Sequence, residues 1–443
     1  MNQRRRFFPV LLSTLAFLVA APAWCQKVTG DISGAVMDST GAVVPGATVT
    51  AQNAETGFSR SVGTSSSGLF RLAELPVGVY RVSASAPGFK TTVRDVQVAV
   101  ASLTQADFTL EVGAMTETIT VEAAGPLIEY SDKLNSYVEE ERIERLPLSG
   151  RDFNSLLAIL PGVQRSPGGG FLAVSISGAR NTSNNYLVDG IHNNDRYYGD
   201  SNLNQTGVVG IPATLIPLDA IEEFTVQQSP SAEYGVKGGA AINVVMKTGT
   251  NDFHGSVYYF RHDNWTDARN FFAAEKTPLR NQQFGFTAGG PLRRDRTFFF
   301  GYYEGQRYET LAPYRAFVPT PSEIAAARAR ILAAGLTPSL VGENLLAFYP
   351  LPDNPVSGAI NVAIPNTADM DSFSLKVDHH AGKSHLMSAR YFFGDSVQSA
   401  PAFVGTLPPP PPNPPDMFNS VAPSRAQLLG LSWTWTISPM KIL

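Results

Sequence analysis

The sequence predicts a mainly β protein, and three observations carry that prediction. Glycine (38) and proline (32) are plentiful among 443 residues, as they are where many strands are joined by tight turns. Stretches of alternating apolar and polar residues recur along the chain, which is the period of a strand and not of a helix. After the N-terminus no apolar run reaches the roughly 18 residues that a membrane-spanning helix needs, so any membrane crossing would have to be made by strands. Charged residues make up 16%, well under the usual share of about 25%. The net charge is −4, and no long basic run follows the N-terminus, so nucleic acid is not expected as a partner.

Residues 1–25 read as a secretory signal peptide. Arg4, Arg5 and Arg6 form the positive region and Phe7 to Ala20 the apolar segment. Ala21-Pro22-Ala23 and Ala23-Trp24-Cys25 offer small residues for cleavage. An uncleaved anchor helix is the alternative, but the segment is short for a span. Cys25 is the only cysteine, which leaves no disulfide framework and no cysteine-based metal site. None of the six histidines stands in an HExxH or HxxE frame, so a zinc peptidase is not expected, nor any catalytic residue, cofactor or metal.

Residues 28–112 carry short alternating strands, such as Ile32-Gly34-Val36 and Ala47-Val49-Ala51. They are punctuated by Gly41, Pro45-Gly46, Ser67-Gly68, Pro76-Val77-Gly78 and Pro87-Gly88. That spacing predicts an all-β sandwich, with Phe70, Tyr80 and Phe89 bulky enough to fill its core. The runs Gly34-Ala35-Val36-Met37-Asp38, Pro45-Gly46-Ala47-Thr48-Val49, Leu75-Pro76-Val77-Gly78-Val79-Tyr80 and Ala86-Pro87-Gly88-Phe89 resemble a carboxypeptidase-regulatory-like domain. The resemblance implies a prealbumin-like, or carbohydrate-binding-like, fold. A spacer role and contact with carbohydrate both stay open for it.

In the linker 113–125, Glu117, Thr118, Ile119, Thr120 and Val121 resemble the TonB box of outer-membrane receptors. The chemistry asks for an accessible strand that a partner can pair with edge to edge, and these residues are strand-prone. Gly113 and Gly125-Pro126 are expected to keep the segment detached; the alternatives are a last sandwich strand or an ordinary linker.

Residues 126–248 carry ordered motifs. Leu146-Pro147-Leu148-Ser149-Gly150-Arg151-Asp152-Phe153 leads into an apolar helix at 156–160, stopped by Pro161-Gly162. Ile176-Ser177-Gly178-Ala179-Arg180, Tyr186-Leu187-Val188-Asp189-Gly190, Ile221-Glu222-Glu223-Phe224 and Tyr234-Gly235 follow, then Gly238-Gly239-Ala240-Ala241-Ile242-Asn243. Their order is similar to the plug of TonB-dependent receptors, a mixed α/β domain, and the variants resemble the Oar-type subgroup. Asp189-Gly190 suits a tight turn. Gly235, Gly238 and Gly239 suit close approach to a barrel wall, and Glu222 and Glu223 suit pairing with barrel arginines. Asp189, His192 and Asp195 allow a metal site on paper, but the stretch 181–204 is rich in Asn, Asp and Gly and reads as a loop. Extracellular ligand contact is expected from that loop, at Tyr186, Asp189, His192, Tyr197 and Tyr198.

Residues 249–443 change to longer aromatic strands. Phe373-Ser374-Leu375-Lys376-Val377-Asp378 alternates, and Leu429, Leu431, Trp433, Trp435 and Ile437 share one face. Apolar-out and polar-in alternation predicts part of a transmembrane β-barrel, with Trp433 and Trp435 in an interfacial girdle. A soluble sandwich with its apolar face inward has the same period. Thr320, Pro321 and Glu323 predict a capped helix in a long outer connection, and Pro408 to Pro412 a stiff polyproline loop. About six strands are expected, too few to close a barrel, so the chain reads as a fragment or truncated product. The whole reading is an outer-membrane TonB-dependent receptor with its N-terminal domain in the periplasm. Its expected partners are TonB, outer-membrane lipid and an extracellular ligand such as an oligosaccharide or a peptide. A carbohydrate-binding surface or adhesion protein is the alternative.

Overall fold

A computed structural model describes residues 28–113, 118–120, 135–139, 143, 151, 154–165, 174–194, 216–230, 238–269, 276–347, 349, 351–382, 384–401, 419–438 and 441–442. The signal peptide at 1–25, the proline run, Tyr197 and Tyr198 lie outside them.

The first module is the sandwich. Its strands are β1 (Gly30–Asp38), β2 (Thr48–Asn53), β3 (Ser59–Gly63), β4 (Leu69–Leu75), β5 (Gly78–Ser85), β6 (Thr91–Val98), β7 (Leu103–Gln105), β8 (Phe108–Leu110) and β9 (Thr118–Thr120). One sheet runs β4-β1-β7 with β8 also on β1; the other runs β3-β2-β5-β6-β9. Alternation places Ile32, Val36, Val49, Ala51, Phe70, Leu72, Tyr80, Val82, Phe108 and Leu110 in one core between them. The Tyr80 hydroxyl, inside that core, donates to Pro76 O at 2.8 Å, which meets the need of a buried phenol. Phe89 packs at the edge of the core, while Phe58 and Phe108, not singled out in the sequence, are interior. Gly34 is a glycine of necessity, since a Cβ there would collide with Ala106 O and the Phe70 ring.

The second module is a mixed sheet with short helical turns. Helix α1 (Asn154–Leu157) starts two residues before the expected 156–160 and ends at Leu157, ahead of the Pro161-Gly162 turn, where Gly162 takes φ +77°. It buries Leu156 and Leu157. The strands are β10 (Asn135–Glu139), β11 (Val163–Arg165), β12 (Val174–Ile176), β13 (Asn185–Val188), β14 (Ile191–His192), β15 (Ile221–Gln227) and β16 (Ala241–Met246). Five form a sheet in the order β10-β15-β16-β13-β14, and β11 and β12 form a hairpin. Gly239 does allow a close approach, but to the backbone of Ser183 and Asn184 inside this module and not to a barrel wall; around Gly238 there is open space.

The third module is a single antiparallel sheet in chain order. It consists of β17 (His254–Asp263), β18 (Leu279–Arg293), β19 (Thr297–Phe317), β20 (Ala359–Ala381), β21 (His385–Pro401), β22 (Asn419–Ser438) and the two-residue β23 (Lys441–Ile442). Six strands are long, and they run well past the segments their alternation had marked. Short turns follow β18 and β20. Long connections follow β17, β19 and β21. The connection after β19 holds α2 (Pro321–Ala333) and a second helix, α3 (Leu340–Leu346), which the sequence reading did not anticipate. The capping box of α2 forms as expected: Thr320 N donates to Glu323 Oε2 at 2.9 Å and Glu323 N to Thr320 Oγ1 at 3.2 Å.

The two faces of this sheet settle which way it points. Val257, Tyr259, Phe286, Phe373, Leu375, Met387, Leu429, Leu431 and Trp433 are exposed. The opposite face carries buried Gln283, Thr287, Glu304, Gln306, Ser374, Lys376, Arg390 and Gln398. A soluble sandwich would do the reverse. Polar residues inward and apolar residues outward are the arrangement of a wall that faces lipid. Phe300, Tyr302 and Phe392 also turn inward, into the core of the second module.

Two outcomes follow for this fold. In lipid vesicles Leu431→Arg will lower the unfolding free energy by about 2–4 kcal/mol, the cost of an arginine facing the middle of a bilayer; denaturant titration reads it, and an unchanged midpoint would contradict an outward Leu431. The hydrogen bonds from Thr320 hold the Glu323 carboxyl below its ordinary value of 4.5. A depressed folded-state value adds stability above the ordinary value and loses it as pH falls through the lowered one. Amide protection at Thr320 will therefore decline on acidification below about pH 4.5 and stay level above it.

Candidate functional site

The contact between the second module and the wall is built around Asp189. Asp189 and Gly190 both take positive φ, +43° and +74°, and form the two-residue turn between β13 and β14. Such a turn matches the twist of the strands it joins. Asp189 N donates to Val244 O, Gly190 N to the Asn243 side chain, and Met246 N to Asp189 Oδ1 at 2.8 Å. The turn is thus pinned to β16 with the carboxylate aimed at the wall.

Two cations of the wall meet it there. Lys376 Nζ lies 3.3 Å from Asp189 Oδ2, and the Arg390 guanidinium pairs with the same oxygen. Lys376 and Arg390 face each other in register on β20 and β21. Their surplus charge is met by main-chain oxygens: Lys376 Nζ donates to Met246 O at 3.2 Å and Arg390 to Val188 O at 3.3 Å. All three side chains are at most 8% exposed. Gly430, on the inward face of β22, leaves room for Ile191 just past the turn; a Cβ would collide with the isoleucine.

A second anchor lies on β17. Arg151 pairs with Asp219, and its guanidinium sits 3.9 Å from the Phe260 ring centre and 5.5 Å from that of Tyr258. A cation over an aromatic face is favourable, the more so when partly desolvated. The Tyr258 hydroxyl donates to buried Glu304 at 2.8 Å. Where all three modules meet, a cavity of about 480 Å³ is lined by Asp189, Lys376, Asp378, His380 and Arg390 together with Thr29 and Glu55 of the sandwich. Its lining is mixed, with Val77, Met246, Phe298 and Leu386 beside the charged groups.

These placements revise several expectations. Asp189 is held by the wall and is not open to a ligand, and Tyr186, 1% exposed, belongs to the core of its own module. His192 is half-buried on β14. The wall cations meet Asp189, whereas Glu223 is buried and accepts from Val100 N of the sandwich at 2.6 Å. Among the described residues no cluster of three His, Cys, Asp or Glu side chains is arranged for a metal. Of the TonB-box candidates, Glu117 and Val121 lie outside the described residues. Thr118, Ile119 and Thr120 are β9, paired in parallel with Thr91, Thr92 and Val93 of β6. The described part of the segment is therefore an edge strand of the sandwich, not a detached one. Arg151 and Asp219 stand inside motifs visible in the sequence, but nothing local marks them as partners 68 residues apart.

Comparison with known proteins places each module. Residues 31–111 match the carboxypeptidase regulatory-like domain, 131–242 the TonB-dependent receptor plug domain and 245–443 an outer membrane beta barrel domain. The chain belongs to the TonB-dependent receptor family. It is 29% identical over 313 residues to the TonB-dependent transporter Oar of Myxococcus xanthus, a match covering 66% of this chain and 28% of Oar. Among solved structures it resembles the siderophore receptor PirA of Acinetobacter baumannii, at 18% identity and a TM-score of 0.39 over 68% of this chain and 45% of PirA. It also resembles the ferric enterobactin receptor PfeA of Pseudomonas aeruginosa, at 18% identity and a TM-score of 0.41 over 68% of this chain and 38% of PfeA. The chain thus spans less than half the length of these relatives. The receptor is an outer-membrane protein with its N-terminal domain on the periplasmic side, in a family of receptors and transporters. The second module is its plug and the third its barrel wall.

Removing Asp189 from this receptor leaves two cations buried without their anion. Asp189→Asn will weaken plug docking by about 3–5 kcal/mol, the usual cost of breaking a buried pair from one side. Arg390→Met in the same chain will restore part of it. Hydrogen exchange at the amides of β13 and β16 reads both; equal protection in Asp189→Asn and the parent would contradict the assignment.

Proposed function

We propose that the receptor takes up an extracellular ligand in a step energised by TonB, which pairs with Glu117, Thr118, Ile119, Thr120 and Val121. The observation that carries this reading is the position of β9. It is the outermost strand of its sheet, it lies between the sandwich and the plug in the chain, and one of its edges is unpaired among the described residues. An extended partner strand can add to such an edge through main-chain hydrogen bonds. Tension on the segment would peel β9 from β6 and pass to the plug, whose hold on the wall includes the Asp189 contacts with Lys376 and Arg390. The modules of this reading run 28–112, 113–125, 126–248 and 249–443, after a signal peptide at 1–25.

The ligand is an oligosaccharide or a peptide in this reading, met by His192 of β14 and by Tyr197 and Tyr198. The alternative, a carbohydrate-binding surface protein, draws little support from the sandwich. Phe58, Phe70, Tyr80 and Phe108 are all interior and offer no stacking platform for a sugar.

The test is calorimetric titration of residues 26–130 with the C-terminal domain of TonB. Binding is expected, and Ile119→Pro will abolish it by removing a main-chain donor from the pairing strand. Binding that survives the proline would place the contact elsewhere; no binding by the parent segment would remove the TonB assignment.

A further inference from the structure

The sandwich is seated on one end of the wall as well as joined to the plug through the chain. That end carries the turns after β18 and β20, which are short, and short turns of such barrels face the periplasm. The seat is made by the β2–β3 turn of the sandwich, residues 54–58. Asn251 N donates to Glu55 O at 2.9 Å. Asn251 is itself fixed to the turn after β18: its Nδ2 donates to Asp295 Oδ1, and its Oδ1 accepts from Asp295 N, both at 2.8 Å. Gly57 comes so near the Asp295 carboxylate that a Cβ would collide with it. The Phe58 ring meets His380 of β20 edge to face, with ring centres 5.3 Å apart, and Phe298 of β19 meets the same imidazole at 5.6 Å. Arg60 Nη2 donates to Thr436 Oγ1 of β22 at 3.1 Å, and Leu386 of β21 packs against the sandwich core. One corner of the sandwich thus touches the ends of four neighbouring wall strands.

The same module grips the plug. Val100 N donates to Glu223 Oε1 at 2.6 Å, in a buried contact. Glu223 lies on β15, which pairs with β16, and β16 holds the Asp189 turn. The sandwich is therefore a bridge with one corner on the wall and another on the plug. Parting plug from wall must break either the Val100–Glu223 bond or the seat of the β2–β3 turn.

The seat also closes the cavity behind it. Thr29, Asn53, Glu55 and Val77 of the sandwich form part of the lining that includes Asp189, Lys376 and Arg390. With the sandwich lifted, that lining opens to the periplasm. Attraction between charges weakens steeply as water replaces protein around them, so the Asp189 contacts hold less firmly once the seat is vacated.

We propose that the sandwich is a latch: seated on the periplasmic rim by its β2–β3 turn, it keeps the plug on the wall, and the plug is freed only after the seat is vacated. The inference concerns the hold between modules and depends neither on the ligand nor on TonB.

The experiment uses the full chain in lipid vesicles with Cys25→Ser, Gly57→Cys and Asp295→Cys. A Cβ at Gly57 stands 3.5 Å from the Asp295 Cβ, within the span of a disulfide. The oxidised and reduced forms carry the same substitutions and differ only in whether the seat is locked. Hydrogen exchange at the amides of β16 is expected to slow on oxidation by on the order of tenfold, the worth of one or two hydrogen bonds. Asp295→Gly in the parent chain keeps the turn, where Asp295 has φ +60°, because glycine adopts that conformation freely. It removes the carboxylate from the seat, and exchange at β16 will quicken about threefold. Failure of the folded cysteine variant to cross-link would overturn the docking. Equal exchange in its oxidised and reduced forms, or an unchanged rate in Asp295→Gly, would overturn the latch.

Discussion

Lipid offers no hydrogen bonds, and that constraint orders this chain from the wall inward. A sheet that faces hydrocarbon must put Leu429, Leu431 and Trp433 outward, so the alternate positions are left for polar groups. On β20 and β21 those positions include Lys376 and Arg390, which are buried and charged. Burying two cations side by side is costly unless an anion and further acceptors meet them. The plug supplies Asp189, with Met246 O and Val188 O beside it. Plug and wall are therefore complementary in charge as well as in shape, and the wall's inner face is incomplete without its plug.

The carboxylate is held by local structure that serves this purpose. A two-residue turn with both φ values positive places Asp189 at the tip of β13, and bonds from β16 hold it there. The same turn carries Ile191 into the gap left by Gly430. Arg151 fastens the other side of the plug to β17 through Phe260 and Tyr258. The hold is mixed: beside the ionic contacts and a few hydrogen bonds, Phe300, Tyr302 and Phe392 of the wall pack into the apolar core of the plug.

Much of the fold was legible in the sequence because strand alternation and turn residues are local signals. The sandwich core at Phe70 and Tyr80, the Asp189-Gly190 turn and the Thr320 cap are each set by a few neighbouring residues, and each stands where expected. The site was less legible because its partners are far apart in the chain. Asp189 and Lys376 are almost two hundred residues apart, and no pattern near Asp189 separates a carboxylate aimed at a wall from one aimed at a ligand. Tyr186 read as a loop aromatic, yet it lies in the strand that precedes the turn and is buried in the core. Ile119 read as part of a free segment because glycines flank it; pairing with β6 is a tertiary contact that flanking residues do not report. Period alone also left open which face of β22 was covered, and only the plug, packed on one side, decides it.

The claim on which all this rests is that the odd-numbered residues of β22 face lipid and the even-numbered ones face the plug. Cys25 is the only native cysteine, so after its replacement single cysteines can be placed in turn at Leu429, Gly430, Leu431, Ser432 and Trp433. Each is then labelled with an environment-sensitive fluorophore and measured in vesicles that carry a quencher on the acyl chains. Strong quenching at 429, 431 and 433 with little at 430 and 432 is the predicted result. The opposite alternation, or uniform quenching along the strand, would contradict the orientation of the wall and with it the account of how the plug is held.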